Sequence, residues 1–383
     1  MAGQQPTRAG DPARRIIDFG LTPEDLGPRL HGEQVQAEPR RFLGIGWPDG
    51  LAPTPAELTL EPAPSDPLPR ADYLVITWTA AEMEALADVF TPGVNPRTRW
   101  YRYDRGFEAL LPTIRNGAPA RMAHRLGSYY PTRIGNRTVL CFKSELHLNQ
   151  DGVRTGPGTA TLPVAELIRS LVAQVRPKMV ITVGTAGATF PDHELGDVVV
   201  TRAARFRLSQ EFRAEPFASS SYRCDFRIPT RHLTTATNLM RALADHLREP
   251  DFGPPTKAYD FPAQLLPGHV NNPDIKVDGR DFAAFHPMLT TDSFEFGNSA
   301  NRLELVGCGV EMGDAVFGLV AEELGDAAPR WLVIRNMSDP QINGDLPTDP
   351  VDMQAHWAVW YYETFGYWTS VNSAIVTWAM IAR

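Results

Sequence analysis

Apolar positions along the chain follow two rhythms. Short unbroken runs rich in Val, Ile and Leu fall at Tyr73–Thr77, Val139–Phe142, Met179–Val183, Val198–Val200 and Trp331–Asn336. Runs of this length, bounded by Gly, Asp or Pro, read as buried strands. Between them, apolar residues recur at helical spacing in Thr79–Phe90, with Thr79 as N-cap, and in Pro163–Val175, which opens on proline. Further helices are expected at Thr234–Leu247 and Ala315–Leu324, a strand end at Arg202–Phe212, and a strand at Leu289–Phe294 that leads into a loop. Strands alternating with helices in this way predict an α/β domain with a largely covered central sheet. From Asp352 onward the pattern is aromatic and helical, and it carries no charge from Thr364 to Ala382. That length approaches a membrane span, but Thr, Ser, Asn and Gly interrupt it throughout, so a buried amphipathic helix is expected and no membrane partner.

Proline density sets off the first part of the chain. Residues 1–70 are too rich in proline for long helices or central strands, and they read as an extended N-terminal arm. Within it, Arg41–Trp47 is apolar enough to dock on the domain or on a neighbouring subunit, while residues 1–35 read equally as a disordered tail. The folded domain is expected over 71–383, with a Pro/Gly-rich loop at Pro250–Pro255. The stretch Arg99–Arg133 is aromatic and basic and has no clear assignment.

Composition narrows the function classes. Of the 383 residues, 43% are hydrophobic and 21% charged, as in a soluble globular protein, and the net charge of −8 argues against a nucleic-acid partner. Cys141, Cys224 and Cys308 are scattered without CxxC spacing. That predicts neither a disulfide framework nor a zinc site and favours a reducing, cytoplasmic setting. No apolar signal segment opens the chain.

Chemistry concentrates around Met179–Thr201, where an apolar run meets Gly184-Thr-Ala-Gly187 and a second run follows Leu195-Gly-Asp197. The small residues read as a tight turn whose N–H groups and Thr185 hydroxyl approach a ligand closely. Two further stretches follow in order: Val310-Glu-Met312, and Val333-Ile-Arg-Asn-Met-Ser-Asp339. The ordered set resembles the nucleoside phosphorylase/nucleosidase superfamily, most closely its methylthioadenosine/S-adenosylhomocysteine nucleosidases. The resemblance runs from about Tyr73 to Arg383, with an expanded middle at 213–285. It implies a three-layer α/β/α fold with a mixed, largely buried sheet. It also implies a small-molecule nucleoside or nucleotide partner, no cofactor or metal, and a homo-oligomer, dimer or hexamer.

Site residues follow from the same resemblance. Asp339 would be the general acid that protonates the purine at N7, which requires a raised pKa; by itself it would read as a turn residue before Pro340. Glu311 and Met312 would lie beside the ribose, Phe294 would stack on the base, and Ser338 belongs to the same strand-end motif. Thr185, Ala186 and Gly187 would line the substrate, and Trp78 beside the first strand suggests a reshaped pocket. Glu295 could select a base by its donors. Phosphorolysis must hold an anionic nucleophile with arginines, and at the position where trimeric phosphorylases carry one, this chain has Thr182. Glu82 falls where the nucleosidases place the base that activates water, although the spacing fits a capping box with Thr79 as well. The resemblance therefore favours hydrolysis, with Thr185 helping to position the water.

One departure stands out. The family reads Glu-Met-Glu, the second Glu gripping both ribose hydroxyls, whereas this chain reads Glu311-Met312-Gly313-Asp314. Losing such an acceptor costs about 1.5–3 kcal/mol per charged hydrogen bond. Either Asp314 reaches in, or the natural sugar is modified, or the site no longer catalyses. A phosphorylase using Arg202 or Arg205 and an inactive nucleoside sensor are the alternative functions. Plain adenosine and inosine are expected to be poor substrates.

Overall fold

The computed structural model describes residues 43–247, 272–282, 285–349 and 352–382. The expected loop at Pro250–Pro255 and the tail 1–35 lie outside these residues. Strands β1 (Tyr73–Thr77), β2 (Gly127–Ile134), β3 (Arg137–Ser144), β4 (Met179–Gly187), β5 (Val198–Thr201), β6 (Ala203–Phe206), β7 (Ile275–Val277), β8 (Met288–Thr290), β9 (Val310–Glu311) and β10 (Arg330–Asp339) join one sheet. Its spine runs β2-β3-β1-β4-β10-β5-β7. The pairs β3–β1, β1–β4 and β4–β10 are parallel, while β2–β3 and β10–β5 are antiparallel. At its far end β4 also meets β9 through Gly187 and Val310, and β9 leads through β8 to β6. The sheet is therefore mixed.

Both faces are covered. Leu74 and Ile76 of β1 point into one core with α2 (Pro163–Val175) and α4 (Asp314–Leu324). Tyr73 and Val75 point into the other core, with α1 (Ala80–Phe90), α3 (Leu233–Arg241) and the last turns of α5 (Met353–Ile381). Alternation with a period of two inside a strand buried on both sides explains why the sequence shows a continuous apolar run. The three-layer α/β/α arrangement expected from the sequence is the one the structure has.

Two expectations change in detail. Gly184–Gly187 is not a turn: it continues β4, paired with β10 up to Asp339. The helix expected over Thr234–Leu247 is α3 up to Arg241 followed by a single 3₁₀ turn at Ala244–Leu247. The helix from Asp352 forms as expected: the Asp352 carboxylate accepts from Ala355 N–H at 2.9 Å, and the C-terminal turns are buried. Among the described residues no helix is long and apolar enough to cross a membrane.

Described residues of the proline-rich stretch lie on the core. Leu43, Ile45, Trp47 and Leu51 pack against the core beneath α5. The Trp47 ring lies 4.7 Å from that of Trp378, whose Nε1 donates to the Leu51 carbonyl at 2.7 Å. Replacing Trp47 with alanine is expected to cost about 1–3 kcal/mol, at the low end for a large aromatic because the ring is only half buried. Urea unfolding measures it, and an unchanged midpoint would mean that the arm adds no stability.

Candidate active site

The carboxyl ends of three parallel neighbours, β1, β4 and β10, open on one cleft, the place where open α/β sheets hold ligands. Register brings Arg335 opposite Gly184, Asn336 opposite Thr185 and Asp339 opposite Gly187. The cleft has about 690 Å³ of empty space, part of it open to solvent. Trp78, Glu82, Thr185, Ala186, Gly187, Phe294, Glu311, Met312, Ser338 and Asp339 all line it. Sequence-expected residues from five separate stretches are thus brought together.

Glu82 is held from every side. Its Oε2 accepts from Thr77 Oγ1 at 2.8 Å, from Trp78 N–H at 3.1 Å and from Thr79 N–H at 2.9 Å. Its Oε1 accepts from the Thr185 N–H at 2.8 Å and hydroxyl at 3.0 Å. The Thr79 capping box is present, so the helix-cap and cleft readings of Glu82 are both true of one side chain. Burial pushes its pKa up, but Arg335 at 3.6 Å and the backbone donors outweigh that, and Glu82 stays below the usual carboxylate range.

This crowding explains the glycine of β4. A Cβ on Gly184 would stand 2.2 Å from Glu82 Oε1, and one on Gly187 would stand 2.9 Å from Asp339 Oδ2. The close approach expected of these small residues is real, but it is made by the protein's own carboxylates.

Arg335 is the residue that sequence reasoning quoted without giving it a role. It is 3% exposed. Its Nε and Nη2 donate to Asp314 at 2.9 and 2.6 Å, Nη2 also to Glu311 at 3.1 Å, and Nη1 to the Thr185 carbonyl at 3.3 Å. The available signal was a lone charge inside the apolar run Trp331–Met337, which must find partners when buried. Asp314 does not reach the cleft, contrary to one expectation, because both its oxygens are fixed on Arg335. Glu311 also turns inward. It accepts from the Gly313 N–H at 2.6 Å, the Asp314 N–H at 2.9 Å and the Thr290 hydroxyl. Burial first, then the Asp314 carboxylate, pushes its pKa up, and Arg335 and Thr290 oppose that shift.

Asp339 differs from all of these. Among the described residues only Ser338 Oγ, at 2.9 Å, hydrogen-bonds its carboxylate, while burial raises its pKa to about 7. Phe294 is half buried and lies 5.6 Å from Phe296, against Ala355 and Val359 of α5. Asp292 anchors the preceding turn by accepting from Ser209 N–H at 2.9 Å and Phe212 N–H at 2.8 Å. Glu295 also lines the cleft and pairs with Arg207 at 3.0 Å. Tyr362 of α5 was missed. It lines the cleft near Thr79, and burial together with nearby Glu82 raises its pKa. Nothing local in the sequence distinguishes it from the other aromatics of that helix.

No family model matches the chain, and neither does any curated protein. Solved structures similar to it include a 5′-methylthioadenosine/S-adenosylhomocysteine nucleosidase from Helicobacter pylori, 13% identical, covering 82% of this chain and 98% of that one, with a TM-score of 0.43. The futalosine hydrolase of Helicobacter pylori strain 26695 is also 13% identical over 81% of this chain and 97% of its own, with a TM-score of 0.43. A nucleosidase from Neisseria meningitidis, again 13% identical, covers 81% and 99% of the two chains with a TM-score of 0.42.

Replacing Arg335 with methionine leaves Glu82, Glu311 and Asp314 buried together without a cation, and should cost about 3–5 kcal/mol at pH 8. In the parent, Glu82 is depressed, so its contribution is present above its unfolded pKa and is lost as the pH falls through the lower folded value. Without Arg335 burial dominates, the folded pKa rises, and the sign reverses. The variant should therefore recover stability from pH 8 to pH 5, as read by melting temperature; equal losses at both pH values would contradict this.

Proposed function

We propose that the chain is an N-ribosyl hydrolase acting on a purine-type, modified nucleoside or nucleotide. The observation that carries this reading is the separation of two carboxyl groups on one cleft. Asp339 is raised to about 7 and can still hold a proton at neutral pH, while Glu82 is depressed and remains ionised. Groups pushed apart in this way mark an acid and a base.

The proton of Asp339 passes to the purine ring as the C1′–N9 bond breaks, its electron pair leaving with the base. The sugar becomes oxocarbenium-like, and a water held at Thr185 adds to C1′. Glu82 is a weak base, having five donors on its carboxylate, but a weak base suffices because water bonding to a cation becomes strongly acidic. The fixed negative charge of Glu82 also favours the cation while it lasts. The proton ends on Glu82, and the products are free base and free sugar.

Charge supports water over phosphate as the nucleophile. Among the described residues that line the cleft, the cation is Arg335, and its donors are already committed to Asp314, Glu311 and Thr185. Arg202 is bound to Asp278 and to the Phe226 carbonyl, and neither it nor Arg205 lines the cleft.

Two outcomes are expected. In phosphate-free buffer, chromatography with mass spectrometry should show free base and free sugar from a nucleoside panel; sugar-1-phosphate appearing only with phosphate would make the chain a phosphorylase. Asp339→Asn should lower kcat by at least about a thousandfold. The same variant should be more stable than the parent above pH 7. A carboxyl whose folded pKa is raised stabilises fully below its unfolded pKa and loses this as pH passes about 7, a difference on the order of 4 kcal/mol. The parent's kcat/KM should fall over the same window, and a profile flat from pH 6 to pH 9 would remove Asp339 as the acid.

A further inference from the structure

The end of the cleft between Trp78 and Gly313 takes no part in these proton transfers, and its polarity is unusual. Trp78 is 4% exposed, and its indole Nε1 is buried with no hydrogen-bond partner among the described residues. The edge of the ring lies over Gly313: a Cβ there would stand 3.4 Å from Cε2, the atom bonded to Nε1, and 3.4 Å from Cζ2. The Arg335 guanidinium carbon lies over the ring, 5.2 Å from its centre. Buried N–H groups without an acceptor are rare in native proteins, and one belonging to a residue that lines a cleft is a candidate for pairing with an acceptor on a ligand.

Acceptors at this end are already taken. Four donors occupy the Glu311 carboxylate, from Thr290, Gly313, Asp314 and Arg335. Arg335 holds both oxygens of Asp314, and Glu82 has its five donors. A free cis-diol brings two O–H donors, which here would meet an N–H donor and the apolar Met312. An ether oxygen brings an acceptor and no donor.

We propose that the cleft selects nucleosides whose sugar carries an O-alkyl group in place of one free hydroxyl of the cis-diol. The ether oxygen accepts from Trp78 Nε1–H, and the alkyl group lies over Gly313 and against Met312. This rests on the nucleosidase reading of the same site.

The test compares 2′-O-methyl, 3′-O-methyl, 2′-deoxy and unmodified nucleosides of adenine, hypoxanthine and guanine. Binding is measured by calorimetry and release of free base by chromatography. One O-methyl series should bind and react at least about tenfold better than the unmodified one, the scale of discrimination when a site leaves hydrogen-bonding groups unpaired. Trp78→Phe keeps a ring and removes the N–H, so it should lose about fivefold more on that O-methyl series than on the 2′-deoxy series. Gly313→Val fills the floor and should narrow the preference for O-methyl over 2′-deoxy. Equal or better binding of unmodified nucleosides would overturn the proposal. So would a 2′-deoxy series better than both O-methyl series, equal losses in Trp78→Phe, or no binding of any member. If no base is released but the O-methyl preference in binding and its dependence on Trp78 remain, the selectivity stands and the hydrolase reading falls.

Discussion

A single buried guanidinium ties the active end of the sheet together. Arg335 leaves β10 and meets Glu82 of α1, Glu311 of β9 and Asp314 of α4. One cation facing three carboxylates is an expensive arrangement in a dry interior, offset where the oxygens of Glu82 and Glu311 also receive neutral donors. Two of the three carboxylates serve the architecture. Asp314 locks the first turn of α4 to β10, and Glu311 folds back on the N–H groups that open that helix. The third, Glu82, caps α1 and faces the cleft. Elements from both layers of helices are thereby indexed to one strand.

The same electrostatics separates the roles of the carboxyl groups. Where donors and the guanidinium converge, Glu82 is kept charged. At the end of the same strand, Asp339 has burial and a single serine hydroxyl, and its proton is kept near neutrality. Arg335 and Asp339 are four residues apart along β10, so its register against β4 brings the guanidinium that faces Glu82 and the protonatable Asp339 to a single cleft.

The strands and the two best helices were legible because buried runs and helical spacing leave a direct mark on sequence. The site was legible where residues sit at strand ends, as with Thr185, Gly187, Glu311 and Asp339. Gly184–Gly187 misled as a turn because small residues have two causes: a backbone that must bend, and neighbours that must come close. Here the neighbours are the carboxylates of Glu82 and Asp339, contributed by distant segments. The inward turn of Glu311 and the loss of Asp314 to Arg335 depend on which side chain claims which donor first, and spacing carries no record of that. Tyr362 comes from a helix whose rotation is set by packing alone.

The clasp between Trp378 and the Leu51 carbonyl joins residues 327 apart in sequence. Contacts of such separation form late, because loop closure must precede any reward from the contact. During synthesis the arm must therefore wait, extended and with Leu43, Ile45 and Trp47 uncovered, until the last turns of α5 have left the ribosome. The segment that finally seals the core is thus made 327 residues before its partner, and its apolar side chains are open to chaperones or to other nascent chains through that interval.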